Sequence, residues 1–439
     1  MRPSLLFPRP AVHLLLALLL APAALAQSPL ARDVERHAAS VDAKVVAWRR
    51  DLHAHPELSN QETRTAGVVA EHLRRLGMEV RTGVGGTGVV GVLRGGRPGP
   101  VVALRSDMDA LPVTEENDLP FKSTVRTQFN GQEVGVMHAC GHDLHMAMLM
   151  GAAEVLAQVR ATLPGTVLFI FQPAEEASGT GPGGALAMLR DGVLDNPTPT
   201  AIFGLHVLSG YRTGEVDYRP GGIMASSDGL SITVHGRQTH GALPWAGVDP
   251  IVVASQIVLG LQTVVSRQVD LTASPAIVTI GSISGGVRGN IIPDTVTLSG
   301  TIRTFDQTMR QRIHERVRRT AEGIAQSAGA TAEVRISLGN GVTHNDAALV
   351  ERMRPTVRRV AGKGLIAGQS STASEDFSAF QARVPGVFVL LGVTPEGQDP
   401  KSAPANHSPR FVADERALPL GVRLLAHLAV DYLGGAQGK

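Results

Sequence analysis

One cysteine, Cys140, stands in 439 residues, so no intramolecular disulfide framework is available. Charge of one sign is also missing. The chain holds 41 Lys+Arg against 39 Asp+Glu, and two of the bases, Arg2 and Arg9, fall in the first 26 residues, which contain no acid. Without that segment the two signs balance. A general nucleic-acid binder needs many phosphate-neutralising cations, so that class is excluded. So is any bias toward anionic membranes. Beyond the N-terminal segment no run reaches the roughly 20 uncharged apolar residues of a membrane span. Disorder is excluded for most of the chain by a hydrophobic content of 43%. The length suits two or three domains, each large enough to bury a core.

What is present begins with an address. Arg2 and Arg9 form a positive start, Leu14–Leu20 a short apolar run, and Ala24-Leu25-Ala26 a small-x-small cleavage site. Residues 1–26 are expected to be a signal peptide, with the mature chain periplasmic or secreted. Pro22 and the shortness of the run argue against a retained anchor. In an oxidising compartment a lone thiol is a liability, so Cys140 is either buried and inert or held by a metal.

Hydrophobic spacing divides the mature chain into two textures. Residues 40–80 are expected to be helical, interrupted at Pro56. Val89–Leu93, Val101–Leu104, Val167–Phe171 and Ala201–Val207 are strand-like apolar runs, and Met146–Val159 is helical. This predicts an α/β domain: a mixed sheet with helices on both faces. In the middle, strands at Leu230–Val234, Ala276–Ile280 and Thr295–Ile302 are joined by helices at Pro250–Val265 and Met309–Ala328. That β-α-β-β-α order predicts a small α+β sandwich. The end returns to α/β with helices near 347–361 and 415–433 around a strand at Val387–Leu391. The expected organisation is a catalytic domain in two parts, 27–222 and 334–439, interrupted by an inserted α+β domain at 223–333.

The chemistry collects at strand ends. Met137-His138-Ala139-Cys140-Gly141-His142-Asp143 precedes a helix, and Cys140 and His142 can aim sulfur and nitrogen at one point. The strand Val167–Phe171 runs into Glu175-Glu176, where one carboxylate can ligate and its neighbour stay free as a base. His206 ends another apolar strand, and His407 stands in a polar loop. Taken singly, each has a bland reading: a loop pair, a solvated acidic turn, a core histidine. Together Cys140, His142, Glu176, His206 and His407 are five ligands, too few for two closed sites unless something bridges the ions. A shared water between two metals is what a co-catalytic hydrolase uses.

These residues, with Arg49–Leu58, Leu104–Pro112, Asn290–Asp294 and Ser374–Phe377 in order along nearly all of the mature chain, resemble the aminoacylase/hippuricase-type amidohydrolases. That branch of the co-catalytic metallopeptidases includes auxin-conjugate hydrolases, in a family that also contains glutamate carboxypeptidase. The resemblance implies that Cys140, His142, Glu176, His206 and His407 bind two divalent metal ions and that Glu175 is the general acid/base. It implies that Asp107 orients the metal site. The inserted domain resembles the family's lid and dimerisation domain, which implies a homodimer. Its His240, in Gly236–Gly241, would reach the partner subunit's site and stabilise the oxyanion. Asn290 and Arg303 match positions that bind the substrate carboxylate. Ala54, Leu144 and Trp245 depart from the usual pattern; Leu144 and Trp245 are expected to shape the acyl or side-chain pocket.

The expected reaction is hydrolysis of the amide in an N-acyl amino acid or related conjugate. A carboxypeptidase or dipeptidase of the same fold is the alternative, and a non-catalytic periplasmic binding protein is a further one. A redox role for Cys140 lacks a resolving cysteine. Thiolate and imidazole favour zinc, while the carboxylate and an open site allow manganese, cobalt or nickel.

Overall fold

The computed structural model describes residues 28–176 and 184–435. The expected signal peptide lies outside them. A 26-residue helix, Pro29–Ala54, opens the described chain; the Ser28 hydroxyl caps it by accepting from the Ala31 N–H. Val34, Ala38, Val41, Val45 and Leu52 form its buried stripe, at the three- and four-residue spacing that lines one helix face. Pro56 disfavours helical geometry at the residue before it, and the chain turns before a second helix at Thr63–Arg75.

Eight strands form the main sheet. Across it run Glu79–Val84, Gly88–Arg94, Pro164–Gln172, Arg97–Asp107, Ala201–Arg212 and Gly386–Thr394, then the two-residue strands Val216–Asp217 and Leu365–Ile366. The first two pairings are antiparallel, and the next three are parallel. The expected mixed sheet is therefore present. All nine residues of Gly386–Thr394 are buried, as a strand covered on both faces requires. One face carries helices Pro29–Ala54, His142–Gln158 and Leu418–Gly434 over the largest apolar cluster. The other carries Gly184–Arg190 and Phe377–Gln381, with Met188, Phe377, Phe380 and Phe388 among the buried groups.

A second, wholly antiparallel sheet is ordered Ala276–Ser284, Thr295–Thr304, Asp228–His235, Thr331–Leu338. Helices Pro250–Gln268 and Gln307–Ser327 pack on one of its faces and close a separate core with Ile232, Ile257, Leu261, Leu298, Ile313 and Val317. Each such side chain contributes about 1.5–3 kcal/mol when fully buried. Asp249 and Asp306 cap the two helices. The strand Thr331–Leu338 was not among the expected elements, and position 333 falls inside it. Its exposed residues Thr331, Glu333 and Arg335 dilute the apolar signal, but it pairs with Asp228–His235 along its whole length.

Candidate metal and catalytic site

The parallel strands end on one side of the main sheet, where ligand sites of open α/β sheets form. Asp107 is the last residue of Arg97–Asp107 and is in register with Gln172, the last of Pro164–Gln172. His206 lies in the neighbouring strand. Helix His142–Gln158 starts here through a turn at Gly141, whose φ is +92°. A Cβ at Gly141 would lie 2.4 Å from the Val207 side chain, so the turn that separates Cys140 from His142 needs glycine twice over.

All five expected ligands meet. The Cys140 sulfur lies 3.4 Å from His206 Nε2 and 3.3 Å from His407 Nε2. His407 Nε2 is 3.1 Å from Glu176 Oε1, and His142 Nε2 is 4.0 Å from the same oxygen. Two triads of donor atoms, Cys140/His142/His206 and Cys140/Glu176/His407, each fit within 4.8 Å, with the thiol common to both. His407 arrives in the left-handed region at φ 73°, pinned by its N–H to the Ala139 carbonyl at 2.8 Å. The Asn406 amide donates to the Cys140 and Val207 carbonyls, each at 3.0 Å.

Hydrogen bonds fix the tautomers. His142 Nδ1 donates to the Asp109 carbonyl and His206 Nδ1 to the Val207 carbonyl, both at 2.8 Å, so Nε2 is the ring nitrogen of each that faces the cluster. His142 Nε2 is buried without a hydrogen-bond partner, and the ring nitrogens near Glu176 Oε1 are those of His407 and His142. Buried orphan donors and acceptors are rare unless something else satisfies them. The electrostatics agree. Burial opposes protonation of His142, but Asp107, Asp109 and Glu176 push it up to about 10. Burial, then Glu176, Glu175 and Asp107, drive the Cys140 thiol well above its usual range. The cluster is short of positive charge, and thiolate, imidazole and carboxylate are a divalent transition-metal donor set. The residues fit such ions.

Glu175 joins neither triad around the thiol, but its carboxylate lies within 4.8 Å of donor atoms of His142 and Glu176, and one of its oxygens accepts from the Asp376 N–H at 3.4 Å. The two carboxylate oxygens of Asp109 accept from the Glu175 and Glu176 N–H groups at 3.1 and 2.9 Å, so one buried acid holds both members of the pair. Burial first, and then Glu375, Glu176, Asp376 and Asp109, raise the Glu175 carboxyl well above the ordinary carboxylate range. A base poised upward in this way can both take and return a proton.

Asp107 is oriented from two sides. Arg105, fully buried, donates to Asp107 Oδ2 at 2.8 Å, to Glu375 at 2.9 Å, to Asp376 at 2.8 Å and to Gln172 at 2.8 Å. His145 Nδ1 donates to Asp107 Oδ1 at 2.6 Å, and its Nε2 accepts from the Val207 N–H at 2.9 Å. With both ring nitrogens used, His145 positions Asp107 and is no ligand. Burial would raise the Asp107 carboxyl, but His142, His145 and Arg105 hold it well below the usual range. Arg105, Asp109, Glu375 and Asp376 were visible in the sequence only as members of motifs, without roles.

Of the residues expected in the inserted segment, Arg303 reaches the site. It lines, with Glu175, a cleft of about 1000 Å³ between the two sheets, and donates to the Thr372 carbonyl at 3.3 Å. His240 and Asn290 lie together elsewhere: Thr239–His240 pairs with Ile291–Ile292, and Gly241 N–H donates to Asn290 O at 2.8 Å. Both are exposed and neither lines the cleft. His240 Nδ1 accepts from the Ala242 N–H at 3.0 Å, which leaves Nε2 as its donor. Leu144, expected to shape a pocket, is fully buried in the main core, because it faces the sheet from helix His142–Gln158. Trp245 is 79% exposed and lies outside the cleft lining. A buried thiol with a raised pKa is also a poor redox nucleophile.

Known proteins match this arrangement along most of the chain. Thermostable carboxypeptidase 1 of Saccharolobus solfataricus is 40% identical over 390 residues, 88% of this chain and 95% of that one. N-acetylcysteine deacetylase of Bacillus subtilis is 38% identical over 391 residues, 89% of this chain and 97% of that one. Among solved structures, the Bacillus subtilis protein YXEP, described as a dinuclear metal-binding peptidase from the M20 family, superposes with a TM-score of 0.75 at 35% identity, covering 90% of this chain and 99% of that one. The model of peptidase family M20/M25/M40 matches residues 103–431, and the chain belongs to that family of metal-dependent amidohydrolases and peptidases.

Proposed function

We propose that the protein hydrolyses the amide bond of N-acyl amino acids or related conjugates. The observation that carries this reading is Glu175, which joins neither triad that contains Cys140, is held beside them by Asp109, and lines the cleft that Arg303 also lines. Its proximity to His142 and Glu176 sets it next to a bound cation. Cys140, His142, Glu176, His206 and His407 would hold two divalent cations. When bound, such ions supply Lewis acidity to a carbonyl and lower the pKa of water. Glu175 removes a proton from the attacking water and later delivers it to the leaving amine. Arg303 holds the free carboxylate of the substrate, as a planar guanidinium suits. Asp107, fixed by Arg105 and His145, orients the ligand shell and does not touch substrate.

A homodimer belongs to this reading. Helix Pro250–Gln268 leaves Leu259 72% exposed, and Ala276–Ser284 is an edge strand ending beside Val287, 95% exposed. Exposed apolar side chains beside an unpaired strand edge suit a self-complementary contact. His240 of the partner subunit, with Nε2–H free to donate, and Asn290 would then complete the substrate site. Export follows from residues 1–26 alone; cell fractionation and an N-terminus at Gln27 would support it, and an intact Met1 would refute it.

The carboxypeptidase reading, which the name of one relative suggests, puts a peptidyl or aminoacyl group on the acyl side, and a dipeptide substrate would bring a free amine that needs a partner. The carboxylates of the cleft other than Glu175 are engaged: Asp228 with Arg310 and His314, and Asp376 with Arg105 and Gln172. That favours an acyl over an aminoacyl group. The test is amino acid release from matched N-acetyl, N-benzoyl and dipeptide substrates by metal-loaded and chelator-treated protein. Metal-dependent release from the acylated set is expected. Release from dipeptides alone would move the assignment to a peptidase.

A further inference from the structure

The cleft between the sheets carries more positive charge than the reaction uses. Four cationic or potentially cationic side chains line it: Arg190, Arg303, Arg310 and His344. Arg310 is spent, since its guanidinium is paired with both carboxylate oxygens of Asp228 inside the small sheet domain. Arg303 meets only a backbone carbonyl. Arg190 meets no partner among the described residues. The residues outside the description contain no Asp or Glu, so no acidic side chain there answers it. Its sequence neighbour Asp191 is engaged, accepting from the Gly85 N–H at 2.7 Å.

Arg190 has an anchored backbone and an exposed side chain. It ends the helix Gly184–Arg190, whose Ala185 and Met188 are fully buried against the main sheet. Exposed Leu186 from the same helix and exposed Leu338 from the facing sheet line the same cleft. The lining therefore offers two guanidinia without a carboxylate partner, apolar surface, and one carboxylate without a cationic side-chain partner, that of the base Glu175. A guanidinium facing a cavity is matched by a planar anion held bidentately, and it is worth most when the bound molecule and apolar neighbours exclude water.

We propose that the cleft selects N-acyl amino acids bearing a second carboxylate, with Arg303 taking the α-carboxylate and Arg190 the other. This rests on the reading of the site as an N-acyl amino acid hydrolase. The second carboxylate sits either on the amino acid side chain or at the far end of the acyl chain, and the two sources are separable. Arg190 is away from the metal ligands, so its contribution is to substrate binding: KM changes and kcat holds.

The experiment compares metal-loaded wild type with Arg190→Gln and Arg190→Glu. One arm sets N-acetyl-glutamate against N-acetyl-glutamine, and the other N-succinyl-alanine against N-butanoyl-alanine. In the arm with the correct source, wild type is expected to favour the charged member, and Arg190→Gln to lower its kcat/KM about tenfold through KM, with the neutral member changing less than about twofold. Arg190→Glu should reverse the preference. Equal use of charged and neutral members by wild type in both arms, or an equal loss on both in the variants, would overturn the proposal. Calorimetric binding of the same ligands to the Glu175→Gln protein separates the two readings. Arg190-dependent preference in binding, with no substrate cleaved by wild type, would keep the charge assignment and sink the hydrolase. Cleavage without charge preference would do the reverse.

Discussion

At Cys140 and His142 two protons stand where cations are expected. Without metal, His142 is pushed up to about 10 and the thiol well above its usual range, so both are protonated at pH 7. Ligation needs neutral imidazole and thiolate, so binding must expel about two protons per chain, and affinity should rise with pH through the neutral range. Calorimetry in buffers of different ionisation enthalpy reads that number directly; no proton release would contradict the ligand assignment. Arg105 is the second residue to test. It pairs with three buried acids, Asp107, Glu375 and Asp376, of which burial pushes Glu375 up to about 8, and Arg105→Met would leave the cluster without its cation, at a cost of about 3–5 kcal/mol in unfolding free energy. Urea titration checks it, and a loss below about 1 kcal/mol would refute the role. Cys140, His142, Glu176 and His206 were legible in the sequence because each lies in or just after an apolar strand or at the start of a helix, so local pattern places it at a strand end; His407, in a polar loop, was legible only through the resemblance. The role of Arg105 was not, because its bond to Asp376 joins residues 271 positions apart and depends on which way a buried side chain points.

Elements show the same division. Long apolar strands such as Val167–Phe171, and helices with a clear stripe, could be read from periodicity alone. Thr331–Leu338 could not, since an edge strand with one exposed face carries few apolar residues and gains its pairing from a strand a hundred positions earlier. That strand and helix Gln307–Ser327 are tied by Asp228, which accepts from Arg310 and His314. Burial would raise the Asp228 carboxyl; Arg310 and then His314 override burial and lower it. A carboxyl whose folded pKa is depressed adds stability above its unfolded pKa, near 3.9, and loses it as pH falls through the folded value. Asp228→Asn should therefore cost stability at pH 7, by about 3 kcal/mol, and steadily less as pH drops below about 4. Thermal melts across pH 2–7 test this: a constant difference between variant and wild type would contradict it.

For the whole molecule, the two sheets divide the work. The main sheet presents the ligands and Glu175, and the small sheet supplies Arg303 and half of the cleft wall. His240, in the two-stranded pair Thr239–His240/Ile291–Ile292, and Asn290 do not line this chain's own cleft, and the small sheet keeps an apolar edge exposed. The proposed homodimer would account for both features. Leu259→Glu, at an exposed position, should yield a folded monomer with reduced turnover, whereas an unchanged mass by sedimentation would exclude this helix from the contact. The account as a whole turns on Glu175. The most direct measurement is amino acid release from an N-acyl substrate by wild type and Glu175→Gln, with the cation content of both determined in the same samples. The account expects equal cation content and a fall in kcat of about a hundredfold to ten-thousandfold. Undiminished release by the variant would show that another group moves the proton, and the central claim would be wrong.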